Sequence, residues 1–238
     1  MSKRISEFVI KNQFACCLIP PTLAGIIISS IVNNVSFFII MPLFVSLIVM
    51  LLQSQANRYA FLLGGINSLI YAAVDFSFTL YSSAASAILI SFPIQLITFI
   101  RWNKRAYKKS THFYRLSFSW RILTGAISIS LFILLNIVFY KFGSPYMFLD
   151  NIVFVTSILT YVLTLFSFIE YPIVQIIGNF VSFGMNIAIF ITNPSRLPFL
   201  IYNIYSLCCI MRAAISVLKL YREQQGIRNQ FKTGSLAE

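Results

Sequence analysis

Long apolar runs separated by brief polar punctuation dominate this chain. Eight runs follow one another, at about residues 14–32, 34–53, 59–77, 80–100, 119–140, 151–169, 172–191 and 198–218. Each is close to 20 residues, the length at which an α-helix crosses a hydrocarbon layer of about 30 Å. The short alternating strands of a membrane β-barrel are not visible. The pattern therefore predicts an all-α, polytopic membrane helix bundle. The first run follows "MSKR", as a signal peptide would. It carries Pro20-Pro21 at its middle, however, shows no small-residue cleavage site and leads at once into the next run. It is read as an additional N-terminal membrane helix.

The order of the runs predicts an internal plan. Residues 1–33 hold a cytoplasmic N-terminus and the extra helix, and 34–100 a first group of three helices. Residues 101–150 hold a basic loop and a long linker helix, 151–218 a second group of three, and 219–238 a frayed tail. A single linker helix reverses direction, so the two triplets run parallel in a 3+1+3 arrangement of seven core helices. Parallel repeats about an axis along the membrane normal are one plan of transporters, with the site at the repeat interface. The sequences echo each other faintly, in "GIN" at Gly65–Asn67 and "IGN" at Ile177–Asn179, each on the middle helix of its triplet.

Polar side chains inside the runs fall at helical spacing. Gln175, Asn179, Ser182 and Asn186 follow i, i+4, i+7, i+11; Asn67, Tyr71 and Asp75 follow i, i+4, i+8. Gln95, Thr98 and Trp102 follow i, i+3, i+7, and the last run carries Tyr202, Asn203, Tyr205 and Ser206. Uncompensated polar groups are costly in hydrocarbon and tend to face a bundle interior or a wet cavity. Counted at 1.5 Å per residue, Gln95 lies roughly 9 Å from Arg101, Asn67 and Asn179 roughly 10–12 Å into their spans, and Asn203 about 13 Å from Arg212. Four carboxamides from four helices thus predict one layer on the inner half of the bilayer. Each can donate and accept without charge, and Tyr71, Tyr202 and Tyr205 offer ring faces nearby. The layer fits a flat, polar, largely uncharged ligand.

The alternative for each such residue is glue between helices, worth about 0.6 kcal/mol per hydrogen bond. Glue is the favoured reading for Thr156, Thr160 and Thr164, whose hydroxyls can bond their own helix carbonyls. The small residues "SSAASA" at 82–87 predict close helix packing. Asp75, near the outer end of its span, is expected to be solvated, and Glu170 to sit at a loop. Neither reads as a proton relay, and no buried charge pair is legible. Pro93 and Pro172 are either hinges or static kinks.

Composition agrees with a lipid-facing surface. Of 238 residues, 58% are hydrophobic and 10% charged, against about a quarter charged in soluble domains. The net charge of +12 raises nucleic acid as a partner, but the placement of the cations excludes it. Arg101, Lys104, Arg105, Lys108, Lys109 and Arg115 crowd one loop, and Arg212, Lys219, Arg222, Arg228 and Lys232 crowd the C-terminal end. Cations gathered in alternate connections mark cytoplasmic loops, with contact to anionic headgroups as a by-product. Eight crossings with the N-terminus inside leave only Lys141 and Arg196 outside. The adjacent pairs Cys16-Cys17 and Cys208-Cys209 read as packing residues. Six acids and one histidine, His112 in the basic loop, exclude a clustered catalytic or metal centre of the kind a lipid enzyme needs. No cofactor is expected.

Two stretches, Asn57–Lys104 and Tyr171–Ala214, resemble the two halves of the PnuC family of bacterial vitamin transporters, and the likeness spans about 34–220. It is carried by Gly64 and Asn67 in Gly-x-x-Asn, by Pro93 and Gln95 in Pro-x-Gln followed by Trp102, and by Asn179. The resemblance implies a 3+1+3 bundle related to SWEET-type sugar transporters. It also implies facilitated diffusion without ATP or evident ion coupling, and a cytosolic kinase that traps the substrate by phosphorylation. Gln95 and Asn179 carry over as binding residues, with Asn67 as the equivalent in the first half. Nicotinamide riboside carriers commonly show Trp-x-x-Trp before that Asn, where this chain has Pro172 and Gln175. Stacking platforms are lost there, so thiamine, riboflavin or a deoxynucleoside stand beside nicotinamide riboside as cargo.

The expectation is a multi-pass protein of the bacterial cell membrane, not an enzyme, with both termini cytoplasmic. It acts as a uniporter for a nucleoside-like solute, alone or as a homo-oligomer. Candidate binding residues are Asn67 and Tyr71, Gln95 and Thr98, Gln175 and Asn179, and Tyr202 and Asn203. A membrane scaffold that transports nothing is the alternative from another class, and it predicts polar stripes without a cavity.

Overall fold

The computed structural model describes residues 13–140 and 146–234; the expectations for 1–12, 141–145 and 235–238 lie outside the described residues. Helices α1 (Gln13–Val32), α2 (Phe37–Ser54), α3 (Tyr59–Ser77) and α4 (Tyr81–Lys104) come first. They are followed by α5 (Phe118–Phe139), α6 (Met147–Leu165), α7 (Tyr171–Thr192) and α8 (Leu197–Gly234). Among the described residues these eight are long and apolar enough to cross a membrane, and they coincide with the eight apolar runs. Large side chains such as Phe118 and Ile191, 76% and 77% exposed, point outward from the bundle, where lipid rather than water can cover them.

Six of the helices close a ring. α2 packs on α3, α3 on α4, α4 on α6, α6 on α7, α7 on α8, and α8 returns to α2. α1 lies outside against α8 and α2, and α5 lies outside against α6. Only 6% of the α5 span is buried, as befits a lipid-exposed helix whose apolar residues run all round it. One apolar cluster, with Leu43, Leu47, Val74, Tyr205 and Ile210, locks α2, α3 and α8 together. A second, with Phe61, Trp102, Leu163 and Val217, closes the end of the ring that carries the basic loop.

At that basic end the loop makes a two-stranded hairpin, β1 (Ala106–Tyr107) paired antiparallel with β2 (Ser110–Thr111). The hairpin holds α8 beyond its membrane span. Gln224 accepts from the Phe113 N–H and donates to the Thr111 carbonyl, each at 2.9 Å. Lys108 meets Glu223 at 2.7 Å, and that carboxylate raises the lysine above its ordinary pKa. The segment expected to fray is therefore helical as far as Gly234. Glu170 is a loop residue as expected: it accepts from the Leu116 N–H at 3.2 Å and pairs with Arg121 at 2.7 Å.

Two helices depart from plain α geometry or begin at proline. α4 contains a π turn at Ala87–Ser91, with Pro93 two residues after it. Pro172 stands in the first turn of α7, where no intrahelical donor is missed, so it neither kinks nor hinges that helix.

Candidate functional site

The ring encloses two adjoining lobes of about 280 and 270 Å³. Tyr71, Ser157, Tyr161 and Gln175 line both, so the lobes form one lumen. Asn67 and Gln95 face the lobe on the α2–α4 side. Asn179, Tyr202 and Asn203 face the lobe on the α7–α8 side. Thr98 stands apart from the other candidates: it is 1% exposed and outside both linings. Trp102, from the same predicted stripe, is turned away from the lumen into the aromatic cluster at the basic end.

The carboxamides are held by short polar relays from neighbouring helices. Asn67 donates to the Ser46 hydroxyl at 2.7 Å and to the Pro42 carbonyl at 3.1 Å, while Ser46 donates to Tyr71 at 3.0 Å. Gln95 donates to Ser91 at 2.7 Å, and Ser91 donates across to Tyr161 on α6 at 2.8 Å. Gln175 donates to Gln53 on α2 at 3.0 Å, and Asn179 donates to Ser206 on α8 at 2.7 Å. These bonds fix one end of each amide. The Oδ1 atoms of Asn67 and Asn179 remain buried with no hydrogen-bond partner in the protein. A buried acceptor left in that state is worth about 1–3 kcal/mol to whatever satisfies it.

Glycines set how close the walls stand. A Cβ on Gly64 of α3 would fall 2.2 Å from Gln95 Oε1, and one on Gly178 of α7 would fall 2.6 Å from Thr156 Oγ1. α3 and α7 thus each have a glycine where a neighbouring helix's polar side chain crosses. In Gly64→Ala the carboxamide of Gln95 must swing away, because it is the movable partner. We expect uptake to fall about tenfold or more while the melting temperature in detergent stays within a few degrees, since loss of one well-placed hydrogen bond is of that order. Unchanged transport by Gly64→Ala would show that the Gln95 orientation is immaterial.

The threonine hydroxyls bond their own helix, as expected, rather than a second one: Thr156, Thr160 and Thr164 donate to Ile152, Thr156 and Thr160 carbonyls at 2.8, 2.7 and 2.6 Å. Thr156 and Thr160 also face the lumen. The "SSAASA" segment does more than pack. Ser82 donates its N–H to Asp150 at 3.1 Å and its hydroxyl to Asn151 at 2.7 Å, and Ser83 donates to Asp150. Ser83 and Ser86 line the lumen as well.

Two charged residues overturn their sequence reading. Asp75 is not a solvated helix end but part of the lumen wall, 3.8 Å from Arg196. Arg196 is not a loop cation in water. It is 2% exposed, on the short 3-10 turn Pro194–Arg196 between α7 and α8. Its guanidinium carbon lies 4.2 Å from the rings of both Phe78 and Phe199. A buried charge pair therefore exists at the end opposite the basic loop. No periodicity marked it, because Arg196 lies between two helical patterns. Apart from this pair, the polar groups of the lumen are hydroxyls, amides and phenols. Among the described residues no group of three or more His, Cys, Asp or Glu could hold a metal.

Comparison with known proteins bears on this geometry. The family described as "Nicotinamide mononucleotide transporter" matches residues 36–215. Among solved structures, one described as "Crystal structure of the Vitamin B3 transporter PnuC" superimposes with a TM-score of 0.76 at 20% sequence identity. The alignment covers 88% of this chain and 92% of that one, so the two share a fold. No curated protein matches the chain.

Proposed function

The chain belongs to the nicotinamide mononucleotide transporter family, and from that premise we propose a facilitated-diffusion uniporter for a nucleoside-like vitamin precursor, with nicotinamide riboside first in line. One observation carries this reading: a lumen inside a six-helix ring, walled largely by carboxamides, hydroxyls and phenols, three of whose amide oxygens lack protein partners. Such groups bind a polar solute without holding it by charge, which suits release on the far side. A scaffold would have its polar stripes packed shut, and these face a cavity.

In this reading α2–α4 and α6–α8 are the parallel triplets, α5 is the linker and α1 the added helix. Rocking of one triplet against the other exposes Asn67, Tyr71, Gln95, Gln175, Asn179, Tyr202 and Asn203 to alternate sides. The basic end, with the hairpin and the extension of α8, is cytoplasmic by the distribution of cations. Both termini then lie inside a bacterial cell membrane, and a cytosolic kinase makes import one-way by phosphorylating the cargo. A related solute is the second reading, favoured by Gln175. Its carboxamide occupies the lumen with Gln53 where riboside carriers commonly present an indole.

Uptake into proteoliposomes tests both readings. Labelled nicotinamide riboside, thiamine and a deoxynucleoside are offered to vesicles with and without enclosed kinase and ATP. We expect equilibration of one of them without ATP and accumulation only with the kinase. Accumulation without kinase would remove the uniporter reading, and no flux of any of them would remove the transport reading of these cargoes.

A further inference from the structure

The unsatisfied polar atoms of the α7–α8 lobe are not scattered. Nε and Nη1 of Arg196, Nδ2 of Asn203, and Oδ1 of Asn186 and Asn179 are all buried without a hydrogen-bond partner in the protein, and all four residues line the same lobe. Their order along the lumen follows from the helices. Asn179 is level with Ser206, to which it is bonded, and Asn203 lies three residues nearer the start of α8, about 4.5 Å further out. Asn186 stands seven residues beyond Asn179 on α7, about 10 Å further out, and Arg196 closes that end. Acceptor, donor, acceptor and donor therefore alternate along one wall.

Arg196 is held so that it can serve a ligand. Its guanidinium carbon lies 4.2 Å from the ring centres of both Phe78 and Phe199, which stand 6.1 Å apart at 74°, so the two rings wedge the group from two sides and at most one of them lies on its flat face. Asp75 engages one corner, Nη2, at 3.8 Å, which leaves Nε and Nη1 free to donate. Asp75 also cancels the charge, so the subsite has donors and an acceptor but little net charge to offset the desolvation of an anion.

We propose that Arg196 and Asn186 are specificity-determining residues that read a planar primary carboxamide on the substrate. Arg196 donates to its carbonyl oxygen and Asn186 Oδ1 accepts from its amino group, with Asn203 as a second donor. A carboxylate loses the bond to Asn186 and meets Asp75. A ring with no such substituent leaves three buried groups unpaired, the situation in which sites discriminate most strongly. This inference rests on the transport reading above.

The test measures affinity on the full chain in nanodiscs with three probes: nicotinamide riboside, nicotinic acid riboside and pyridine riboside, which lacks the substituent. For the native protein we expect nicotinamide riboside to bind about ten- to a hundredfold more tightly than pyridine riboside, as for one or two hydrogen bonds to buried partners. Nicotinic acid riboside should fall between them. Two variants are then compared, Asn186→Ala and the charge-neutral double change Asp75→Asn with Arg196→Gln, which leaves no lone buried charge. Each should bring the two outer probes to within about threefold of each other. A merely structural role would weaken all three probes alike and keep their ratio, and that result overturns the proposal. Equal binding of nicotinamide riboside and pyridine riboside by the native protein overturns it too, while leaving the transporter reading intact. Binding of none of the three removes both.

Discussion

Asn179→Ala is expected to reach the membrane, fold and lose uptake about five- to a hundredfold. The side chain is anchored from one side only: its amino group donates to Ser206, while its oxygen is buried and unpartnered in the lumen. Removing it releases one hydroxyl on α8, a loss of about 1 kcal/mol to the bundle. It also removes an acceptor already dehydrated in the lumen wall, and a position lost from the proposed site lowers affinity about five- to a hundredfold. Initial uptake rates in proteoliposomes, normalised to inserted protein, check the first effect, and the melting temperature checks the second. Native-like uptake by this variant would remove Asn179 from the site.

Trp102→Ala is the stability counterpart. The indole is fully buried, edge-on to Phe61 at 4.6 Å and to Phe113 at 5.6 Å between ring centres. Its Nε1 donates at 2.9 Å to the Thr164 carbonyl at the end of α6. One side chain thus ties α4, α3, the basic loop and α6 together at the basic end of the ring. Truncation opens a cavity among aromatic rings and is expected to cost about 3–5 kcal/mol. Trp102→Phe keeps most of the contact area and loses the donor, so it should cost about 0.5–1.5 kcal/mol by the hydrogen-bond scale. Chemical unfolding in detergent measures both. Equal losses from the two changes would mean that the hydrogen bond, not the packing, is what holds this end together.

The eight spans were legible because lipid demands an unbroken apolar length, and no other constraint writes such a plain pattern. The carboxamides of Asn67, Gln95 and Asn179 were legible for the converse reason, since an amide in such a run needs a partner or a cavity. Thr98 shows where spacing misleads. It shares a helix face with Gln95 and Trp102, but α4 meets its neighbours more tightly toward the basic end, so the same face that borders the lumen at Gln95 is packed solid one turn later. Arg196 was illegible because a cation in a four-residue connection looks like any loop charge. Only the meeting of Phe78, Phe199 and Asp75 around it, from elements distant in sequence, takes it out of water.

The wide turn at Ala87–Ser91 decides which way the rest of α4 faces. Ser86 and Ser91 both border the lumen, yet five residues of ordinary helix would set them about 140° apart in azimuth. The extra residue accommodated there restores their alignment and carries Gln95, four positions on, to the same bearing. Rewinding the turn as ordinary α-helix at the same residue count would rotate everything after it by about 100° and turn Gln95 away from the lumen. The bearing of the lumen-facing amide on this helix is thus a matter of winding, set in a turn that ends four residues before the amide itself.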